Sequence, residues 1–219
     1  MPQPDPLDPL APPEPTAATT PTFPPYPALP PGGLTDGTVR VRRWDPPRDA
    51  ADRLRLVRDP DQDRWGTPVF VPRPVNLAAE QDQLERDRAR ADSGQPTSYA
   101  VVAATTGELL GDIGWRLDLP RMGIADVGYA TLPEARGRGV ASAALGLLTA
   151  WLTDPEAGCG LDRVQLDHAV ANTGSCRVAT RAGFVQEGVR RGYLPLVDLS
   201  TPAGWSRADV CMHGFVVVG

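Results

Sequence analysis

The sequence predicts a mixed α/β (α+β) domain with a mostly antiparallel sheet, preceded by an extended tail. Three observations predict it. First, 13 of the 25 prolines fall within residues 1–31, where apolar residues show no periodicity. Second, three strand-like segments follow one another between residues 99 and 132 with no helix between them. Third, the last of these runs into a glycine-bearing loop that opens directly into an apolar helix, after which strands and a helix alternate to the end.

A segment as proline-rich as 1–31 cannot bury enough apolar surface to offset its ordering entropy. Residues 1–36 are therefore expected to be a disordered proline-rich tail, and 37–219 the folded domain. Phe23-Pro-Pro-Tyr-Pro is similar to polyproline ligands, so the tail reads either as a docking peptide or as an inert leader.

The domain begins with an alternating strand, Thr38 to Trp44. Asp49 to Arg58 has helical spacing, with Ala50, Leu54 and Val57 on one face. Pro60 and Pro68 to Pro74 mark an irregular stretch containing Trp65, and Leu77 to Ala91 reads as a polar helix. Tyr99 to Ala104, Leu109 to Leu117 and Ile124 to Leu132 then form an antiparallel meander, turning first at Thr106-Gly107. The apolar helix runs from about Arg138 to Leu152 and stops before Pro155. A strand from Arg163 to Val170 and a short helix from Asn172 to Ala182 follow, with Gly183 placed to cap the helix. Phe184 to Tyr193 and Ala208 to Val218 close the chain as strands.

Composition excludes several classes. The net charge is −5, of which −4 belongs to residues 1–36, so the body is close to neutral at −1 and shows no basic face for nucleic acid. The longest apolar run, Val140 to Leu152, is shorter than the roughly 18 residues of a membrane span. The N-terminus also lacks a basic stretch followed by an apolar run, so no secretory signal is read and a cytoplasmic protein is expected. Cys159, Cys176 and Cys211 are widely spaced and lack a C-x-x-C pair, and His168 and His213 add no ligand pattern. Neither a disulfide framework nor a metal site is expected.

The most informative segment is Tyr129 to Ser142, a strand leading through Gly137 and Gly139 into the apolar helix. The first turn of a helix carries unpaired N–H groups and the positive end of the macrodipole. Glycine lets backbone approach a ligand closely. With Arg136 and Arg138 alongside, this is the chemistry of a pyrophosphate cradle. It is not a Walker loop, since G-x-x-x-x-G-K-[ST] is absent. It is not the Rossmann fingerprint either, since Ser142 stands where the third glycine belongs.

Arg136-x-x-Gly139-x-Ala141 resembles the [Q/R]-x-x-G-x-[G/A] motif of the GNAT acetyltransferases. Downstream, Asn172-Thr-Gly-Ser175, Gly183-Phe184 and Glu187-Gly188 look like the second block of that superfamily. The branch that acetylates the N-terminal alanine of ribosomal proteins is the most similar, with Val39–Trp44, Asp49-Ala50, Trp65 and Asp209 also in keeping. The resemblance covers about residues 38–219. It implies a GNAT fold, with a central sheet splayed into a V-shaped acetyl-CoA cleft between Ile124–Leu132 and Arg163–Val170.

By the same resemblance, acetyl-CoA is the co-substrate and a primary amine attacks its thioester directly in a ternary complex. The acceptor is a protein N-terminus or a small-molecule amine, and such proteins are often monomers or dimers. Arg136, Gly137, Arg138, Gly139, Val140 and Ala141 would hold the pyrophosphate. Backbone at Thr131 and Leu132 would pair with pantetheine, Asn172 would hydrogen-bond it, and Ser175 would sit near the thioester sulfur and protonate the leaving thiolate. Asp126 is the candidate base, with Asp112 and His168 as weaker candidates, and Trp115 and Tyr129 could line the acceptor pocket. One departure stands out: Ala179 occupies the position where many relatives carry a tyrosine as general acid. The alternative reading is an acetyl-CoA-binding sensor without turnover.

Overall fold

The computed structural model describes residues 26–117 and 122–217. Eight strands form one sheet: β1 (Leu34–Thr35), β2 (Val39–Arg42), β3 (Ser98–Ala103), β4 (Leu109–Leu117), β5 (Ile124–Thr131), β6 (Arg163–Ala169), β7 (Val185–Val197) and β8 (Trp205–Val216). Among the described residues four α-helices accompany them: α1 (Pro46–Val57), α2 (Leu77–Asp92), α3 (Val140–Thr153) and α4 (Thr173–Arg181). The sheet order is β1-β2-β3-β4-β5-β6-β8-β7, and only β5 and β6 run parallel.

The helices follow their sequence. α1 opens with Pro46-Pro47, whose fixed φ suits a first turn. Asn76 caps α2 by accepting from Ala79 N–H at 2.9 Å. α3 is nearly apolar throughout and buries Val140, Leu145, Leu148, Trp151 and Leu152 against the sheet. Val39, Val41, Val101, Ile113, Val127 and Val164 meet that face, so the core lies between α3 and the middle of the sheet.

The expected boundary at residue 36 is corrected by the structure. Leu29 is 1% exposed, and the Tyr26 ring packs edge-on against Trp115 at 5.3 Å. Tyr26 N–H donates to the Gly94 carbonyl, and β1 pairs with β2. Residues 26–36 therefore belong to the folded body, because Tyr26 and Leu29 supply apolar surface that the proline content concealed. Residues 1–25, including most of the polyproline-like motif, lie outside the described residues, as does Val218 at the end of the last expected strand. Two short helical turns, Gln62–Gly66 and Pro133–Ala135, were not foreseen.

The sheet opens in the middle. β5 and β6 share only the pairs Ile124–Arg163, Ala125–Val164 and Asp126–Gln165. Each then follows its antiparallel partner, β5 along β4 and β6 along β8, over seven paired positions. The stronger antiparallel ladders and the twist between neighbours pull the two strands apart beyond Asp126.

Candidate functional site

The opening between β5 and β6 is a cavity of about 460 Å³. Its walls come from Gly128–Thr131 on β5, His168 on β6, the turn before α3, and the start of α4. Trp65, from the turn at Gln62–Gly66, closes one side, with the Arg64 guanidinium stacked 4.3 Å from its ring. Leu132 N–H bonds to the Leu110 carbonyl of β4 at 2.9 Å. Strand alternation therefore turns the backbone groups of Thr131 and Tyr129 toward the gap, where β6 no longer pairs with them.

At one end of this gap lies the N-terminus of α3. Gly139 is its N-cap, with φ 80° and ψ 0°, and Gly137 has φ 72°. No protein atom lies within 4 Å of a Cβ built on either glycine. The left-handed backbone, not crowding, demands glycine at both, and the space in front of them stays open. The first hydrogen bond of the helix runs from Ala143 N–H to the Gly139 carbonyl, and no side chain caps this end. The N–H groups of Val140, Ala141 and Ser142 thus face the cavity end without a protein partner among the described residues.

The two arginines behave differently from expectation. Arg136 is held by Asp59 and, at 2.6 Å, by Asp61, so its charge is already balanced. It fastens the segment after α1 to the turn. Arg138 is exposed at the turn and does not line the cavity. Positive character at this site therefore comes from the helix end and from Arg177 and Arg181 of α4, which line the cavity. Leu132 is a clear correction. Its side chain is 1% exposed, its N–H is taken by Leu110 and its carbonyl accepts from Ala135 N–H, so nothing remains to pair with a ligand. Thr131 does line the cavity.

Asn172 caps α4, its Oδ1 accepting from Ser175 N–H at 3.2 Å, while the side chain lines the cavity. The amide NH2 remains available to a ligand. Ser175 lines the cavity beside it, facing Tyr129 of β5. Tyr129 Oη is buried without a well-formed hydrogen bond, and burial pushes its pKa up to about 12. Ala179 lies on the buried face of α4 and does not line the cavity.

A second cavity of about 730 Å³ lies on the opposite side and meets the first along Gly128, Tyr129 and Ala130. Asp126 lines it, paired with Arg116 and 7% exposed. Asp112 lines it too, accepting from Ala130 N–H at 3.0 Å and pairing with Arg53 at 2.9 Å. Burial raises the Asp112 pKa and Arg53 opposes that rise. Trp115 contributes its edge but is mainly core, packed between Tyr26 and Trp151.

Sequence reasoning missed Glu80. It is 1% exposed in the first turn of α2, its Oε1 lies 3.8 Å from Arg53, and burial raises its pKa. A polar helix gives no signal of which of its acids turns inward. The widely spaced cysteines and histidines are another feature that sequence spacing did not bring together. Folding brings His168, Cys176, Cys211 and His213 together, with ligand atoms all within 4.8 Å of one another.

With this geometry in hand, the relatives are informative. The family model described as "Acetyltransferase (GNAT) domain" matches residues 38–185. No curated protein matches the sequence significantly. Among solved structures, ribosomal-protein-S5-alanine acetyltransferase from Vibrio fischeri superposes with TM-score 0.66 at 18% identity, covering 82% of this chain and 93% of that one. Mycobacterium smegmatis RimJ in complex with CoA-disulfide gives 0.67 at 22% identity, covering 88% and 87%. The microcin C7 self-immunity acetyltransferase MccE, in complex with acetyl-CoA and AMP, gives 0.68 at 18% identity, covering 87% and 99%. Likeness at these identities concerns the fold. No helix among the described residues is long and apolar enough to cross a membrane.

Proposed function

The chain belongs to the GNAT acetyltransferase family, and on that premise we propose that it moves the acetyl group of acetyl-CoA to the α-amine of a protein N-terminus. The observation that carries the choice of acceptor is the charge balance of the second cavity. Glu80, Asp87, Asp112 and Asp126 line it, but so do Arg53, Arg73, Arg86 and Arg116. A polyamine or other multiply charged cation calls for an acidic pocket. A balanced, open one suits a dipolar peptide end, whose ammonium and carbonyls need both signs. An α-amine, with pKa about 7.7–8.0, is also partly neutral at cellular pH, whereas a lysine amine near 10.4 is not.

In this reading the pyrophosphate lies on the N–H groups of Gly139 to Ser142, with Gly137 shaping the turn. Pantetheine runs along the open edge of β5 at Thr131 and Tyr129 and meets the Asn172 amide. The thioester then sits where the two cavities join. The amine nitrogen attacks the carbonyl carbon, and an unpaired β5 N–H stabilises the oxyanion. Asp126, paired with Arg116, takes the amine proton directly or through water. The C–S bond breaks, and the thiolate receives a proton from the Ser175–Tyr129 pair, which stands in for the tyrosine missing at Ala179. Tyr129 is protonated at neutral pH, and burial, which raises its pKa, makes it a weaker acid than a free tyrosine.

The test is mass spectrometry after incubation with acetyl-CoA and three acceptor sets: peptides with a free α-amine, the same peptides with a blocked α-amine and a free lysine, and polyamines. Acetylation confined to the α-amine set supports the reading. Transfer to polyamines alone overturns the acceptor assignment, and binding of acetyl-CoA with no transfer supports the sensor alternative.

A further inference from the structure

The faces of β6 and β8 beside α4 carry a side-chain cluster that acetyl transfer does not use. In the antiparallel register, Cys211 lies directly opposite His168. His213, two residues further along β8, shares the face of Cys211. Cys176 comes down onto them from the first turns of α4. His213 Nε2 lies 3.2 Å from His168 Nε2, 3.3 Å from Cys211 Sγ and 3.6 Å from Cys176 Sγ.

These separations are those of ligand atoms around one ion. With metal–nitrogen bonds of about 2.0–2.1 Å and metal–sulfur bonds of about 2.3 Å, tetrahedral neighbours stand roughly 3.3–3.8 Å apart. The imidazoles are aimed accordingly. Their centroids are 5.2 Å apart but their Nε2 atoms only 3.2 Å, so the rings splay outward and converge at those nitrogens. His168 Nδ1 lies 2.9 Å from the Ala169 carbonyl, to which it donates, so the lone pair resides on Nε2 and points into the cluster. Hydrogen bonding alone is a poor explanation of the cluster. His213 Nε2 has at most one proton, yet a nitrogen and two sulfurs converge on it. Burial completes the picture, with His168, Cys211 and His213 at 5%, 3% and 1% exposure.

We propose that His168, Cys176, Cys211 and His213 form a tetrahedral site for zinc or a similar thiophilic divalent cation, which pins α4 to β6 and β8. Two thiolates cancel the charge of a divalent ion, so the filled site is neutral, as its burial requires. Binding releases the two thiol protons to solvent and changes no oxidation state. Four protein ligands leave no open position, which makes the site structural. It holds the Asn172–Ser175 end of α4 against the cleft wall, and His168 itself lines that wall. The proposal is independent of which amine is acetylated.

The experiment is titration of cobalt(II) into chelator-treated, fully reduced wild-type protein, followed by absorption spectroscopy. About one cobalt per chain should bind, with strong visible bands of a tetrahedral ion and a sulfur-to-cobalt charge-transfer band, both abolished by added zinc. Cys159→Ser, whose thiol is outside the cluster, should behave as wild type. Cys176→Ser and Cys211→Ser should each lose much of the charge-transfer intensity and bind at least about tenfold more weakly. The wild-type spectrum is decisive even if a cysteine variant fails to fold. Weak bands of an octahedral ion, no stoichiometric binding with all thiols titratable, or a Cys176–Cys211 disulfide that survives reduction would each overturn the proposal. Acetyl-CoA binding, followed in the same samples, reports separately on the transferase reading.

Discussion

Replacing Gly139 by aspartate should abolish acetyl-CoA binding by charge, and asparagine at the same position separates that effect from backbone strain. Gly139 has φ 80°, which costs a non-glycine residue about 1–2 kcal/mol, less for asparagine, which tolerates this region. Packing adds nothing, because no protein atom lies within 4 Å of the new Cβ. The carboxylate would instead face the space assigned to pyrophosphate. At a separation of about 5 Å and an effective dielectric near 20, each phosphate charge repels it by about 3 kcal/mol. Even if solvent halves that, two charges weaken binding by about 100-fold or more. With acetyl-CoA at about 100 times the wild-type Kd, the ligand stabilises the fold by about 2.7 kcal/mol; a 100-fold weaker variant gains only about 0.4 kcal/mol. Thermal unfolding with and without acetyl-CoA measures both numbers. Gly139→Asn should lose intrinsic stability yet keep most of the ligand shift, while Gly139→Asp should lose the shift. Equal shifts in the two variants would refute the anion cradle.

Other consequences can be checked with equal economy. Tyr129→Phe removes a buried hydroxyl that makes no good hydrogen bond, so stability should change by less than about 1 kcal/mol. If the hydroxyl protonates the thiolate, kcat should fall about 100-fold with KM nearly unchanged; wild-type turnover would remove Tyr129 from the mechanism. Arg136→Ala should weaken acetyl-CoA binding by less than about tenfold, because Asp59 and Asp61 already balance the guanidinium. A loss as large as that of Gly139→Asp in calorimetry would show that the charge reaches the ligand. Burial raises the Glu80 pKa, so its contribution to stability is complete below the unfolded-state value and is lost as pH rises through the folded-state value. Glu80→Gln should therefore be more stable than wild type at pH 7, with the gain vanishing near pH 4. Urea denaturation at the two pH values decides, and a variant less stable at pH 7 would contradict the sign.

Local chemistry made much of this protein legible before folding was considered. Leu109–Leu117 alternates so regularly that its strand boundaries agree with the structure. The glycine turn before α3 was readable because helix ends and left-handed glycines are local devices, decided within a few residues. Asn172 was expected at the cleft from the resemblance, and in the structure it lines the cavity and also caps α4.

Tertiary structure decided what depends on partners distant in the chain. Arg136 read as a free cation until Asp59 and Asp61, more than seventy residues earlier, took its charge. Leu132 read as open strand edge until the Leu110 carbonyl and Ala135 N–H consumed its backbone. Tyr26 and Leu29 were hidden among prolines because periodicity cannot register a short strap that packs through two side chains. Glu80 and Asp87 differ from the other acids of α2 only in the face they turn inward, Glu80 toward Arg53 and Asp87 toward Ser98. Above all, His168, Cys176, Cys211 and His213 carry no spacing motif. What brings them to one point is the β6–β8 register and the placement of α4 across it. Periodicity and capping are properties of neighbouring residues and so are written in the sequence. Register, charge partnership and the meeting of separate elements arise from packing of the whole chain, which no single segment encodes.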